Sequence, residues 1–163
     1  MYALLARSDA EFHSLIADLI QHDTVRQLAA ITHHHFTNRL DHSISVAYLG
    51  YRLAKKWGLN YRSVARAGLL HDCFLESREE IATMNRGSHS RLHPLLACEN
   101  AAAITTLSHM EQDIIKTHMF LVSRCAFPRY KESYLITFVD KYIAMKEVTI
   151  PLWNRVRFAW SNR

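Results

Sequence analysis

The amino-acid sequence predicts an all-α fold, a helical bundle of seven or eight helices. Only 4 Gly and 3 Pro occur among 163 residues, too few turn-forming residues for a sandwich or barrel of many short strands. Along most of the chain, apolar residues recur at helical spacing. Because no internal repeat and no Gly- or Pro-rich linker divides the chain, we expect residues 1–163 to form a single domain.

The first 40 residues indicate two helices followed by a loop. Ser8-Asp9-Ala10-Glu11 has the pattern of a capping box and predicts a helix with an apolar stripe from Phe12 to Ile20. Asp23 can cap a second, short helix through Ala30. Residues 32–40 contain three consecutive histidines, and we predict a solvated loop there because neighbouring side chains in a loop point in different directions.

Two helices are predicted in the next part of the chain. One runs from Asp41 to about Trp57, where Gly58 provides the stop, and the other spans residues 61–70. Residues 73–92 carry many charged side chains and little apolar periodicity. Most of this segment is therefore predicted to be an exposed loop, which could cover a site as a lid.

Two further helices follow this segment. Pro94 suits a first helical position, which makes His93 the N-cap of a helix through about Leu107. Ser108-His109-Met110-Glu111 is a second capping box, and the helix that it begins ends before Pro128.

A final long helix is predicted over residues 131–148, where the apolar residues keep helical spacing. Pro151 should separate it from residues 151–163, a tail that mixes aromatic and basic side chains. We expect this tail to dock onto its own domain or onto a second subunit, which leaves a homodimer open.

The cysteine content indicates a reducing, cytoplasmic location. Cys73, Cys98 and Cys125 are odd in number and form no CxxC pair, so neither a disulfide framework nor a thiolate zinc site is expected. No stretch approaches the roughly 18 uncharged apolar residues of a membrane span. We therefore expect no membrane partner.

The charge favours a small anionic partner. Lys and Arg number 20 against 15 Asp and Glu, a formal net charge of +5. The basic residues are dispersed along the chain, so nucleic acid is not the expected partner. The 11 histidines are more informative, because imidazole is the commonest neutral metal ligand and general base in proteins.

The doublet His71-Asp72, at the end of an apolar helix, is the sharpest local signal for a site. A carboxylate buried there is costly without a cation or several hydrogen-bond donors. His42, near the start of one helix, and Asp140, in the middle of another, could project towards the same point. This mixed nitrogen and oxygen set suits Mn, Fe, Co, Ni, Zn or Mg.

A second ion could be held by His93 and His118. Asp72 has two oxygens and could bridge both ions, which leaves open positions for water. Either histidine could instead bind substrate or protonate a leaving group.

In order and local context, these residues resemble the HD-domain metal-dependent phosphohydrolase superfamily, and within it a small bacterial HD-hydrolase group. The resemblance covers a core of about residues 38–147, with residues 1–37 as preceding N-terminal helices. The segments that carry it are Leu40-Asp41-His42-Ser43, Gly68-Leu69-Leu70-His71-Asp72, His93-Pro94, Lys116-Thr117-His118-Met119 and Phe138-Val139-Asp140-Lys141. It implies that His42, His71, Asp72 and Asp140 are the core metal ligands of the superfamily. It also implies that His93 and His118 are the additional ligands found in members that bind two metal ions. Two divalent ions are expected, with Fe or Mn favoured over Zn, Co, Ni or Mg.

Two departures from well-known branches narrow the expected activity. Asp72 is followed by Cys73 and Phe74 rather than by Ile-Gly-Lys, so the phosphate-contacting lysine of those branches has no equivalent here. Met119 follows His118 where the cyclic-dinucleotide phosphodiesterases have a second histidine, and no GYP tripeptide occurs. Cleavage of a cyclic dinucleotide is therefore not expected.

The resemblance implies hydrolysis of a phosphate ester, such as that of a nucleotide, by a metal-bound hydroxide that Asp72 positions. Lys141 and His89 are the expected contacts to a small phosphate-containing substrate. Other basic side chains remain alternatives for that role, namely Arg39, Arg78, Arg86 and Arg91. A di-iron oxygenase and a non-catalytic regulatory module that binds a nucleotide stay open as other functions.

Overall fold

The computed structural model describes residues 2–33, 37–84, 87–123 and 127–161, and the regular secondary structure of these residues is helical apart from two short paired strands. The all-α class is confirmed. The helices are α1 (Tyr2–Ala6), α2 (Ala10–Ile20), α3 (Asp23–Gln27), α4 (Arg39–Lys56), α5 (Tyr61–Leu70), α6 (Arg78–Thr83), α7 (His89–Ile104), α8 (His109–Thr117), α9 (Phe120–Ser123) and α10 (Lys131–Ser161). None of the helices among these residues is both long and apolar enough to cross a membrane.

The predicted first helix is present as α2, but its cap differs from the prediction. The Asp9 carboxylate accepts the bond from the backbone N–H of Phe12 at 3.0 Å. Ser8 bonds instead to the carbonyl of Leu5, because the short helix α1 precedes it. The next helix is capped by His22 rather than by Asp23, and a 3₁₀ turn continues it to Ala30.

The predicted loop over residues 32–40 is wrong at both of its described ends. Strands β1 (Thr32–His33) and β2 (Thr37–Asn38) pair antiparallel, and α4 already begins at Arg39. The helix starts early because the Asn38 side chain accepts a bond from the backbone N–H of Asp41 at 2.8 Å, which caps the first turn. His34 and His35 of the histidine triplet lie outside the described residues.

The segment predicted to be mostly an exposed loop, residues 73–92, contains α6 and the beginning of α7. A capping box of Ser77 and Glu80 starts α6, a local signal that the low apolar content obscured. A small cluster of its own anchors the segment, formed by Phe74, Ile81, Leu92 and Leu96.

Helix α7 begins at His89, so His93 lies inside the helix and is not its N-cap. Pro94 has no N–H to donate to the preceding turn, yet the helix continues through it. Proline is favoured at the first helical position because its missing N–H would have no partner there, but Pro94 is the sixth residue of α7 and so does not mark the start of this helix.

The capping box of Ser108 and Glu111 begins α8 as predicted, but this helix ends at Thr117 and His118 is its C-cap. Helix α10 is longer than predicted, since it continues through Pro151 to Ser161 and no break separates the tail. The side chains of residues 151–163, for which docking was predicted, lie outside the described residues.

The close packing of α4 against α5 positions the site. A Cβ added at Gly68 would lie only 2.8 Å from the Cα of Ala47, so glycine is required for this approach of two backbones. The buried core extends from this contact to α2, α7, α8 and α10. His42 and His71, from α4 and the end of α5, are brought to one end of that contact with ring centroids 5.5 Å apart.

Candidate metal centre

Five helices meet around a cluster of buried histidines and aspartates. All six side chains that the sequence singled out are buried there, each no more than 6% exposed, namely His42, His71, Asp72, His93, His118 and Asp140. Most buried polar groups need a partner, so a cluster of this size requires hydrogen bonds, protons or cations within it.

The first group of ligand atoms lies between α4, the end of α5 and α10. The Nε2 atom of His42 is 3.1 Å from Oδ1 of Asp140. The Nε2 atom of His71 is 3.8 Å from that same oxygen and 3.8 Å from Oδ2 of Asp72. Two imidazoles and two carboxylates therefore face one point.

The second group lies between α7 and the end of α8. The Nε2 atoms of His93 and His118 are 3.0 Å apart. Oδ1 of Asp72 is 3.4 Å from the first and 3.6 Å from the second. Asp72 thus directs one oxygen to each group, which is the arrangement of a bridging carboxylate.

Hydrogen bonds at Nδ1 orient three of the imidazoles. Each of these Nδ1 atoms lies 2.8 Å from a backbone carbonyl oxygen. His71 pairs with the carbonyl of Gly68, His93 with that of His89, and His118 with that of Ile115. A carbonyl only accepts, so each Nδ1 carries the proton, and in the neutral ring Nε2 holds a lone pair. Such bonds from the outer nitrogen are typical of metal-binding histidines.

This assignment leaves ligand atoms without partners. His71 Nε2 and Asp72 Oδ1 are buried and have no hydrogen bond among the described residues. The lone pairs of His93 and His118 would repel each other at 3.0 Å unless a proton or a cation lies between them. The donor set fits divalent metal ions, because a cation satisfies all of these atoms together.

The spacing of the atoms also fits a metal. Two sets of three residues each offer one ligand atom, and the atoms of a set lie within 4.8 Å of one another. Metal bonds to nitrogen and oxygen are about 2.0–2.2 Å long, so ligand atoms on opposite sides of one ion are about 4.4 Å apart, close to this limit. One set consists of His42, His71 and Asp72, and the other consists of Asp72, His93 and His118, so Asp72 belongs to both.

The protonation states in the cluster follow from burial and from the close carboxylates. Burial lowers the pKa of His93, and it lowers that of His118 to about 3, so both rings are neutral. Burial also opposes protonation of His42, but its hydrogen bonds with Asp140 and Glu147 outweigh this and raise its pKa to about 10. The Nε2 position of His42 therefore demands a positive charge, which a proton or a metal ion can supply.

Glu147 is a site residue that the sequence reasoning missed. Its Oε2 lies 2.9 Å from Nδ1 of His42, and the Thr37 hydroxyl donates to the same oxygen at 3.3 Å. Glu147 follows Asp140 by seven residues on α10, so the two carboxylates lie two turns apart on one helix face. This spacing in the sequence was the available signal.

A cavity of about 490 Å³ opens beside the cluster. Lys141 lies on its wall and donates to Oδ2 of Asp140 at 2.7 Å, which leaves Oδ1 of that carboxylate facing the imidazoles. Part of the lining comes from the metal-ligand candidates, and the remaining polar lining residues are Thr32, Arg39, Ser77, Arg78, Glu79 and His89.

The cavity shows which of the basic residues considered as substrate contacts lie near the cluster. Lys141, His89, Arg39 and Arg78 line it. Arg91 is exposed on α7 and is not part of the lining, and the alternative at position 86 lies outside the described residues. His89 contacts the ring of His93, with centroids 4.8 Å apart, rather than the ligand atoms of the cluster.

Comparison with known proteins gives one family. The family model of the HD domain matches residues 39–133, a stretch that includes five of the six clustered residues and ends before Asp140. No curated protein and no solved structure matches the chain. Since the matched stretch covers more than half of the sequence and the fold is all-helical, the chain belongs to the HD metal-dependent phosphohydrolase superfamily.

Proposed function

We propose that this protein is a phosphohydrolase that cleaves a phosphate ester with two divalent cations held by six side chains. The observation that carries the proposal is the unsatisfied interior of the cluster. His93 and His118 direct two lone pairs at each other across 3.0 Å, beside a buried oxygen of Asp72 that has no hydrogen bond. We also infer that residues 38–147 form the catalytic core of one domain.

The ligands divide into two sets in this proposal. His42, His71, Asp140 and Asp72 would hold one ion, and Asp72 also belongs to the second set. His93 and His118 complete that second set. Each ion then has three or four protein ligands, which leaves coordination positions for water and substrate.

Nitrogen and oxygen donors without thiolate favour Fe or Mn, and they are also compatible with Zn, Co, Ni or Mg. Such ions supply an acidified water as nucleophile and positive charge for the developing oxyanion. Asp72 is the residue that would position both ions relative to each other, because it is the one member common to both sets among the residues that the structure describes.

The cavity wall supplies contacts to an anionic substrate. Lys141 is partly exposed there, and its ammonium group is held by Asp140 and by the sulfur of Met119. Burial lowers the pKa of His89 to about 4, so this ring is neutral and can accept or donate one hydrogen bond. A volume of about 490 Å³ is sufficient for a molecule of nucleotide size.

The proposal is tested by Asp72→Ala, with Asp23→Asn on the surface as the matched control. Metal content is measured by elemental analysis of untagged protein, and hydrolysis is measured with a panel of phosphate esters. We expect two ions per chain in the wild type and in the control, and loss of both metal and hydrolysis in Asp72→Ala. Unchanged metal content in Asp72→Ala would contradict the proposal.

A di-iron oxygenase is the second candidate, because four of the six ligand candidates are imidazoles that suit iron. An anaerobic assay separates the two activities, since hydrolysis needs no O₂. Tight nucleotide binding without turnover of any ester would favour the third alternative, a regulatory module.

A further inference from the structure

Arg39 lies in the cavity wall, and one nitrogen of its guanidinium group is buried without a hydrogen-bond partner. It is the first residue of α4 and is only 7% exposed. Its Nη1 donates to the carbonyl of Phe74, and its Nε is buried without any hydrogen-bond partner. Among the described residues, no carboxylate lies within ion-pair distance of it, and Asp72 and Glu76 act on its charge only from farther away.

A buried guanidinium in this state is costly. Its five N–H donors are charged, and each buried donor without a partner forfeits the hydrogen bond that it would make with water. Natural proteins bury arginine mainly where a carboxylate or a phosphate satisfies it. Arg39 lines the cavity, so an anion bound there would offer hydrogen-bond acceptors to its guanidinium group.

The side chain is also held in place before any ligand arrives. The guanidinium carbon lies 3.6 Å from the centroid of the Phe74 ring. That ring packs in turn on His93, with centroids 5.2 Å apart, and on His89, with centroids 5.7 Å apart. Arg39 is thereby fixed relative to the metal-ligand candidates, and little conformational entropy would be lost when it binds an anion.

The other arginine on the cavity wall differs from Arg39 in its exposure to solvent. Arg78 is exposed, so its guanidinium keeps its water. Arg39 is also three residues before His42 on α4, and it therefore lies about one helical turn from a candidate ligand.

We propose that Arg39 binds the terminal phosphoryl group of the substrate and, with Lys141, makes the site specific for phosphomonoesters over phosphodiesters. This assignment rests on the function proposed above. Three separate groups face the cavity, namely the ligand cluster, Arg39 and Lys141. A terminal phosphoryl group has three non-bridging oxygens, enough for all three, whereas a diester has two. The planar guanidinium presents its N–H donors in fixed directions, which an ammonium group does not.

The test compares Arg39→Gln and Arg39→Lys with Arg62→Gln, an exposed arginine on α5 outside the cavity lining, as the matched control. Hydrolysis is measured with p-nitrophenyl phosphate and bis(p-nitrophenyl) phosphate, and binding of inorganic phosphate to metal-loaded and metal-free protein is measured by calorimetry. For Arg39→Gln we expect kcat/KM for the monoester to fall about 10- to 100-fold through a higher KM, with phosphate binding weakened by a similar factor. The diester rate and the control should change little.

Arg39→Lys distinguishes a role in binding from a purely structural role. Lysine keeps the positive charge over Phe74 but lacks the planar guanidinium group. We expect this variant to keep its metal and its circular dichroism spectrum while recovering only part of the monoester affinity. A KM unchanged by Arg39→Gln, or equal losses on both esters, would overturn the assignment. If the wild type hydrolyses neither ester but its phosphate binding still depends on Arg39, the proposed function fails while the anion site stands.

Discussion

The outer nitrogen of His42 is held by Glu147, with Nδ1 and Oε2 2.9 Å apart, although the two residues are 105 positions apart in the chain. This contact fixes the orientation of the ring so that Nε2 faces Asp140. Carboxylates in this position set the tautomer of a ligating histidine and raise its basicity. The metal affinity of the first set of ligands should therefore depend on a residue outside the set.

We predict that Glu147→Gln weakens binding of the ion at His42 by about 10- to 100-fold. Glutamine can still accept a hydrogen bond but lacks the charge that favours His42 as a ligand. Competition with a chromophoric chelator measures the affinity of each ion. Glu99→Gln, an exposed position on α7, is the control; equal affinities in both variants would show that Glu147 does not act on the metal.

A second prediction concerns the separation of the two sets of ligands. His118→Ala should lower the metal content from two ions to one per chain, because His93 and one oxygen of Asp72 are then too few ligands for the second ion. His42 and His71 remain to hold the first ion. Elemental analysis of dialysed protein gives the ratio, and retention of two ions would contradict the division into sets.

The third prediction is that Cys73 does not react in the folded protein. The thiol is fully buried, and burial raises its pKa to about 12, so almost no thiolate exists at neutral pH. Native wild type and Cys73→Ala should therefore show the same number of thiols to a disulfide reagent at pH 8. In denaturant the wild type should show one more. A difference already present in the native state would place Cys73 in an accessible position.

The fourth prediction gives a pH dependence of stability away from the site. Arg66 forms a bidentate pair with Asp18, at 2.7 and 2.9 Å, and this hydrogen bonding lowers the pKa of the Asp18 carboxyl. A lowered folded-state pKa stabilises the protein above the unfolded-state pKa, and the contribution is lost as the pH falls through the folded-state pKa.

Asp18→Asn should accordingly lower the free energy of unfolding at pH 7 by about 0.5–1 kcal/mol, a modest value because solvent screens this largely exposed carboxylate. The difference from wild type should shrink as the pH is lowered below about 4. Urea unfolding at several pH values measures it. A difference that stays constant with pH would exclude the ion pair as its source.

Local features of the sequence were sufficient for most of the helices. Apolar spacing predicted α2, α4, α5 and α8, and the capping box of Ser108 and Glu111 was confirmed. The wrongly predicted helix boundaries and the missed helix lie where the local sequence signals are weak or ambiguous. Asn38 caps α4 earlier than Asp41 would, and α6 has only one buried apolar side chain, Ile81, to reveal it.

The sequence also predicted most of the residues of the candidate site. The order and context of the histidines and aspartates indicated which six side chains would converge, and all six do so. Glu147 was missed because its role depends on a helix face that no motif marks. The roles of Arg39 and Arg78 could not be told apart, because burial against Phe74 is invisible in the sequence.

The sequence by itself determined the helical character and the chemical inventory of the site, since helix periodicity, caps and residue types act over a few neighbouring positions. Only the tertiary structure decided that Asp72 directs its two oxygens to different groups of imidazoles, and that Nε of Arg39 is buried without a hydrogen-bond partner. Both depend on contacts between helices far apart in the chain, as with His42 and Asp140, 98 residues apart. Such distances are set by the packing of whole helices, to which every core residue contributes.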